Sequence, residues 1–327
     1  MSRKLITIST IMTLMSTSVI ADVPNVAADI APIHSLVSRV MDGVGAPKLI
    51  VQSGASPHGY RLRPSEAKAL QDADHVFWMG EELTPWLDSA IGTLASKASV
   101  TTLLDQQGVI LHDFREGALF EAHDHSAHGD DDHDDHDDHD DHKDHDDHDD
   151  HDDHDDHGSH DPHAWLSPEN AKLWLNIIAS KLSVSDPENA ATYFMNAAAG
   201  QAEIEAMIAE VKATLKPVQG GKFVVFHDAY QYFENDFDFY ASGAISLGDS
   251  SDPSPARIEK VQKRIRDEGI QCVLAEPQFK KGLVATVMEG SDATASVIDP
   301  LGAELETGPK LYTRLIKNMA KTLRNCL

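Results

Sequence analysis

From Glu121 to Asp161 the chain reads as a near-perfect repeat of one His and two Asp, and almost nothing in that run can be buried. Its only apolar side chains are Ala122 and Ala127, so burial has nothing with which to offset the backbone entropy lost on ordering. No core can be built from such a segment. It is expected to be a solvated, mobile insertion, and the folded body has to come from the text on either side of it.

The composition of the run points to cations. Thirteen of the chain's 19 histidines lie in it: His123, His125, His128, His133, His136, His139, His142, His145, His148, His151, His154, His157 and His160, beside twenty aspartates. Neutral imidazole is the commonest nitrogen ligand for zinc and its neighbours, and paired carboxylates concentrate cations and can complete a coordination shell. The alternative is a purely acidic solubility segment. That alternative leaves the imidazole at nearly every third position without a purpose, so the run is read as metal-binding, a secondary, low-affinity segment for collecting or sensing zinc. Twenty-one acids less Lys143 give it −20 of the formal −27, which leaves an ordinary, mildly acidic remainder. No Lys/Arg cluster of phosphate-binding density appears, so nucleic acid is not expected as a partner.

Arg3 and Lys4 precede an apolar stretch from Leu5 to Ile20 that ends at Ala21. This is the pattern of a secretory signal peptide (1–21), too short for a retained anchor and cleaved near Ala21. The mature chain is expected outside the cytoplasm. An even count of two cysteines in an exported chain suggests one disulfide, Cys272–Cys326, which would stabilise by about 4 kcal/mol in the chain-entropy account.

At 327 residues the chain suits two domains. Short apolar runs alternate with helical patterns, the signature of βαβ units, so the class is α/β: two similar lobes with parallel sheets flanked by helices and a ligand in the interlobe cleft. Strands are expected at 48–51 and 75–79, the apolar stretches 101–104 and 108–111 lead towards the His/Asp run, and further strands are expected at 222–226, 240–247, 272–275 and 296–298. Helices are expected at 32–44, 64–73, 84–94 and from Pro168 onward, then at 255–268, 279–290 and 311–323. Ser185 and Glu188 offer a capping box for one long helix running to Lys216, a linking element in which Gly200 marks either close packing or a bend. The expected division is an N-terminal lobe 22–184 that includes the run 121–161, a linking helix 185–216 and a C-terminal lobe 217–327.

In open α/β sheets, ligands sit outside the carboxyl ends of the strands. Four metal-competent side chains follow expected strands or flank the cleft: His58, His163, His227 and Asp299. Three imidazoles and one carboxylate form a set that zinc accepts. Scattered single histidines are more often structural, and His34, His75 and His112 are read that way. Glu276 is read as a carboxylate behind a ligand or a salt-bridge partner, and Trp78, Trp165 and Tyr230 as core or cleft walls.

Five stretches carry a resemblance: ASPHGYRLRPSEAKALQDADHVFWMGEELTPWL (55–87), DPHAWLSPENAK (161–172), FVVFHDAYQYF (223–233), CVLAEPQF (272–279) and VIDPLG (297–302). In this order, and with a His/Asp-rich insertion just before the second, the chain resembles the periplasmic zinc-binding solute receptors of bacterial zinc ABC importers, a family within the metal-binding cluster of solute-binding proteins. The resemblance implies a non-enzymatic receptor that captures Zn(II) with high affinity and delivers it to an ABC permease in the inner membrane, acting as a monomer. It implies ligation by His58, His163 and His227, with the fourth position going to Asp299 or water. Some zinc members carry Glu before the first ligand where this chain has Pro57. Manganese-binding relatives tend to place a carboxylate where this chain has His227, so the third imidazole favours zinc. The alternatives are a manganese or iron receptor of the same fold, or a periplasmic zinc buffer or chaperone without a transporter.

Overall fold

The computed structural model describes residues 23–115, 120, 160–246, 248, 253–279 and 281–327. The expected leader and the histidines from His123 to His157 lie outside the described residues. Chain order is β1 (Val26–Ala28), α1 (Ala31–Val40), β2 (Lys48–Leu49), α2 (Pro64–Gln71), β3 (His75–Trp78), α3 (Pro85–Leu94), β4 (Ser99–Thr102), α4 (Pro168–Ser185) and α5 (Ala190–Leu215). It continues with β5 (Phe223–His227), α6 (Gln231–Phe237), β6 (Ala244–Ser246), α7 (Pro255–Glu268), β7 (Cys272–Ala275), α8 (Lys281–Met288), β8 (Thr294–Val297) and α9 (Leu311–Cys326).

The strands form two four-stranded sheets, β2-β1-β3-β4 and β6-β5-β7-β8, in which every pairing is parallel. The two orders are the same order. Each sheet reverses direction at its first strand, β1 or β5, and an open parallel sheet presents its ligand crevice at that point.

Strand residues alternate between two apolar environments, as a period of two requires. Val26, Ala28 and Phe77 of the first sheet, and Phe223, Val225 and Leu274 of the second, face a single core that also takes in α1, α4, α5 and α9. Ala27, Val76 and Trp78 pack outward with Leu87 and Ile91 of α3, and Val224 and Val273 pack outward with Val261 and Ile265 of α7. The central core is continuous from sheet to sheet. Helix α9 returns across it: Tyr312 donates its hydroxyl to the carbonyls of Trp165 (3.0 Å) and Ser167 (3.3 Å), and Ser35 donates to the carbonyl of Gly308 (2.7 Å). The expected Cys272–Cys326 disulfide fastens the end of α9 to β7.

Several elements depart from the sequence expectations. Strand β1 is short and Ala-rich, VAA, and gives no apolar run to read, yet it is the central strand of its sheet. The apolar stretch 108–111, given no element by the sequence, has its Ile110 backbone paired with the amide of Asn170 on α4 (2.8 and 2.9 Å). Helix α6, amid the aromatic text after His227, was not expected. The long helix begins at Ala190, not Ser185. Asp186 rather than Ser185 accepts the Asn189 N–H, and it also accepts the Tyr193 hydroxyl at 2.7 Å, while Ser185 donates back to the Leu182 carbonyl of α4. The remaining 26 residues of α5 span about 39 Å at 1.5 Å per residue. Among the described residues no helix is long and apolar enough to cross a membrane.

Gly200 on α5 resolves to close packing: a Cβ there would lie 2.9 Å from Leu175 Cδ1 of α4 and 3.1 Å from Arg39 Cγ of α1. Gly200→Val is therefore expected to lower unfolding stability by about 1–3 kcal/mol through overpacking, checked by denaturant unfolding of the metal-free chain. Unchanged stability would show that the three helices have slack at this crossing.

Candidate metal centre

Each of the three cleft histidines is placed by a different kind of element. His227 is the last residue of β5, at the strand end where the second sheet reverses. His163 immediately precedes a short 3-10 turn, Ala164–Leu166, that leads into α4. His58 lies on the loop between β2 and α2, which is held from the far side by the Trp86 indole N–H donating to the Pro57 carbonyl (2.7 Å).

These residues, separated in sequence by 105 and then 64 positions, converge. One ring nitrogen from each of His58, His163 and His227 lies within 4.8 Å of the others, and this is the group of metal-competent side chains among the described residues. Ring centroids are 5.5 Å apart for His58 and His163 and 5.2 Å for His163 and His227. The nitrogens border a cavity of about 10 Å³ walled by Pro57, Trp165, Gln278, Pro300 and Leu301, and Trp165 donates its indole N–H to the Pro300 carbonyl (2.8 Å). That space suits one small ion or solvent molecule and no organic substrate.

Two of the imidazoles are oriented by buried carboxylates. His163 Nδ1 lies 2.7 Å from Asp161 Oδ1, and His227 Nδ1 lies 2.6 Å from Glu276 Oε1. A carboxylate beside Nδ1 favours a proton there, which leaves Nε2 as the basic atom. The two Nε2 atoms face each other at 3.4 Å. For tetrahedral zinc with Zn–N bonds of about 2.0–2.1 Å, two ligand nitrogens stand about 3.3–3.4 Å apart, so the observed separation is one edge of such a tetrahedron. Burial pushes the Asp161 carboxyl up to about 6, against the pull of the His163 N–H and the Arg115 charge.

Asp299 is not brought into this group. Its Oδ1 accepts the N–H groups of Leu301 (3.0 Å) and Gly302 (2.8 Å), and its Oδ2 accepts that of Ala303 (2.6 Å), so the carboxylate organises the turn after β8. His34, His75 and His112 have the structural roles expected of them: His34 Nε2 meets the Pro47 carbonyl, His75 Nε2 meets the Ser185 hydroxyl, and the His112 ring packs on Tyr232. Trp165 and Tyr230 border the site, whereas Trp78 belongs to the outer core and donates to Thr102 Oγ1. Glu276 is the carboxylate behind the His227 ring. Sequence reading missed Asp161 in its role, having counted it as the tail of the acidic run. The Asp-x-His spacing was the signal, since it places a carboxylate within reach of the next ring but one.

Two lobes of one topology, closed on a pocket that fits a single ion and offers it imidazole, define a cleft receptor for a borderline-soft metal cation. The chain belongs to the ZnuA family, described as zinc-uptake complex component A, periplasmic, whose model matches residues 26–326. The high-affinity zinc uptake system protein ZnuA of Brucella abortus (strain 2308) is 49% identical over 304 residues, covering 92% of this chain and 91% of that one. Among solved structures, one titled as a crystal structure of ZnuA superposes with TM-score 0.71 at 21% identity, covering 93% of this chain and 99% of that one. The solute-binding protein FpvC of Pseudomonas aeruginosa, in complex with Mn2+, reaches TM-score 0.72 at 18% identity over 93% and 98%. At these identities the structures speak for the fold alone.

Glu276→Gln should weaken Zn(II) binding about 10- to 100-fold while the three imidazoles remain, as loss of a carboxylate behind a metal-bound His does elsewhere. Competition against a chelator of known affinity measures it. An unchanged affinity would show that Glu276 orients His227 without tuning its basicity.

Proposed function

We propose that this chain is an exported, high-affinity Zn(II) receptor that captures the ion between its lobes and hands it to an ABC permease in the inner membrane, without catalysis of its own. His58, His163 and His227 are the proposed ligands. The observation that carries the reading is the 3.4 Å approach of two Nε2 atoms, each ring having a carboxylate at its Nδ1. With the Asp299 oxygens engaged by backbone N–H groups, a solvent oxygen is the fourth ligand we favour. The family and the name of the Brucella abortus relative support zinc as cargo. The convergence of three imidazoles supports the same choice, because nitrogen ligands suit zinc better than they suit manganese.

The fold itself is neutral between the two metals, since FpvC was solved with Mn2+. The manganese reading is therefore the second one. The same proposal includes cleavage near Ala21, a monomeric mature chain, and a division into 22–184, 185–216 and 217–327. The two sheets support that division, while α9 of the last part packs back across the linking helix. It also includes a collecting role for the His/Asp run, which enters the folded body two residues before His163 and so keeps weakly held zinc close to the cleft.

The test is titration of the metal-free mature chain with Zn(II) and Mn(II) in competition. One tight zinc equivalent, lost in His227→Ala, is expected. Tighter manganese binding, or a His227→Ala chain that still holds zinc tightly, would overturn the reading. Because protons compete for imidazole and for Asp161, zinc affinity should fall as pH drops through 6. Deleting residues 124–158 should remove the weak equivalents and leave the tight one; loss of the tight site on deletion would refute the collecting role.

A further inference from the structure

The backbone on either side of the His/Asp run forms a strap that leaves one lobe and is fastened to the other. On the way in, Ile110 is anchored to Asn170 of α4, and the His112 N–H donates to the Tyr232 hydroxyl of α6 (3.1 Å). On the way out, the Asp161 N–H donates to the His112 carbonyl (2.8 Å), Asp113 bridges to His160 in antiparallel fashion, and Tyr232 donates its hydroxyl to the Asp161 carbonyl (2.7 Å).

At the end of the incoming arm stands Arg115, whose side chain is 16% exposed and meets two carboxylates of the opposite lobe, Asp228 at 7% and Glu234 at 1%. Its Nε donates to both oxygens of Asp228 (3.0 Å each) and one terminal nitrogen donates to Oδ1 of the same group. The other terminal nitrogen donates to Glu234 Oε2 at 2.5 Å. Among the described residues Arg115 is the one cation whose hydrogen bonds reach these two carboxylates.

What lies on each side of the guanidinium gives the contact its meaning. Asp228 follows His227 directly. Asp161, on the outgoing arm of the same strap, holds His163 by Nδ1. Arg115 therefore joins the element that positions one buried ligand to the strand end that carries the other, and it does so without touching the metal position.

We propose that Arg115 is a cross-cleft latch, a positioning residue whose forked contact with Asp228 and Glu234 keeps His163 and His227 in register and thereby slows zinc release. This rests on the receptor reading above. The latch acts on the dissociation rate, since it has to yield before the two imidazoles can part.

The experiment loads the full mature chain with one equivalent of zinc and follows its transfer to an excess of a chromophoric chelator by stopped flow, with the thermal midpoint of each protein recorded alongside. Arg115→Gln is expected to speed release by about ten-fold or more, the scale of losses when a group behind a ligand is removed. Arg115→Lys keeps the charge but not the planar fork, and should fall between. Glu234→Gln cuts one prong at a residue remote from the ligands and should also speed release. Should Arg115→Gln fail to fold, the Lys and Glu234 variants decide. Cys326→Ser, which loosens the chain far from the cleft, controls for general instability. Release rates within two-fold of wild type in folded latch variants, or equal acceleration by Cys326→Ser at the same thermal midpoint, overturn the latch. A wild-type chain that retains no zinc overturns the receptor reading itself, and the latch with it.

Discussion

His163 and His227 present their Nε2 atoms to each other across 3.4 Å, and each ring is held from behind by a buried carboxylate, Asp161 or Glu276. The rest of the structure around the cleft follows from keeping that arrangement. Buried carboxylates repel one another and resist desolvation, which is why burial raises Asp161 to about 6 and Glu234 to about 7. A guanidinium behind the imidazoles supplies compensating charge, and on the proposed reading a dication between them would supply the rest. On that reading Arg115 is the fixed charge of the site and the metal the exchangeable one.

The lobes are less independent than two sheets of equal topology suggest. One apolar core runs from β1 and β3 through α1, α4, α5 and α9 to β5 and β7. Wide separation of the sheets would break it, exposing many fully buried side chains at roughly 25 cal/mol per Å² of apolar surface. Smaller displacements cost less at the rim, on the half-buried loop that bears His58 and on the strap pinned by Tyr232 and Arg115. Helix α9 stiffens the same seam through Tyr312, which donates to the Trp165 carbonyl.

Much of this was legible in the amino-acid text. Helix α7 and strand β7 fall at the expected bounds because Pro255 opens the helix, Gly269 in the left-handed region closes it, and CVLA is an apolar run with a sharp edge. Strand β1 was not legible. Three small residues carry no signal, and the strand is central only because β2 and β3 hydrogen-bond to both of its edges. The shift of the long helix to Ala190 turned on Asp186 choosing Tyr193 and Asn189 as partners, a competition that spacing does not rank. His58, His163 and His227 could be picked out as candidates by their places near strand ends, whereas Asp299 shared that placement and went to a turn instead.

The sequence by itself determined that the chain is α/β with two lobes, that its His/Asp run offers almost no apolar side chain, and which three imidazoles are candidates, because composition, period and punctuation act locally. Tertiary structure decided that those rings meet, that Asp161 and Glu276 stand behind two of them, and that Arg115 spans the cleft to Asp228 and Glu234. These are distances between residues far apart in the chain, and the packing of one shared core sets them.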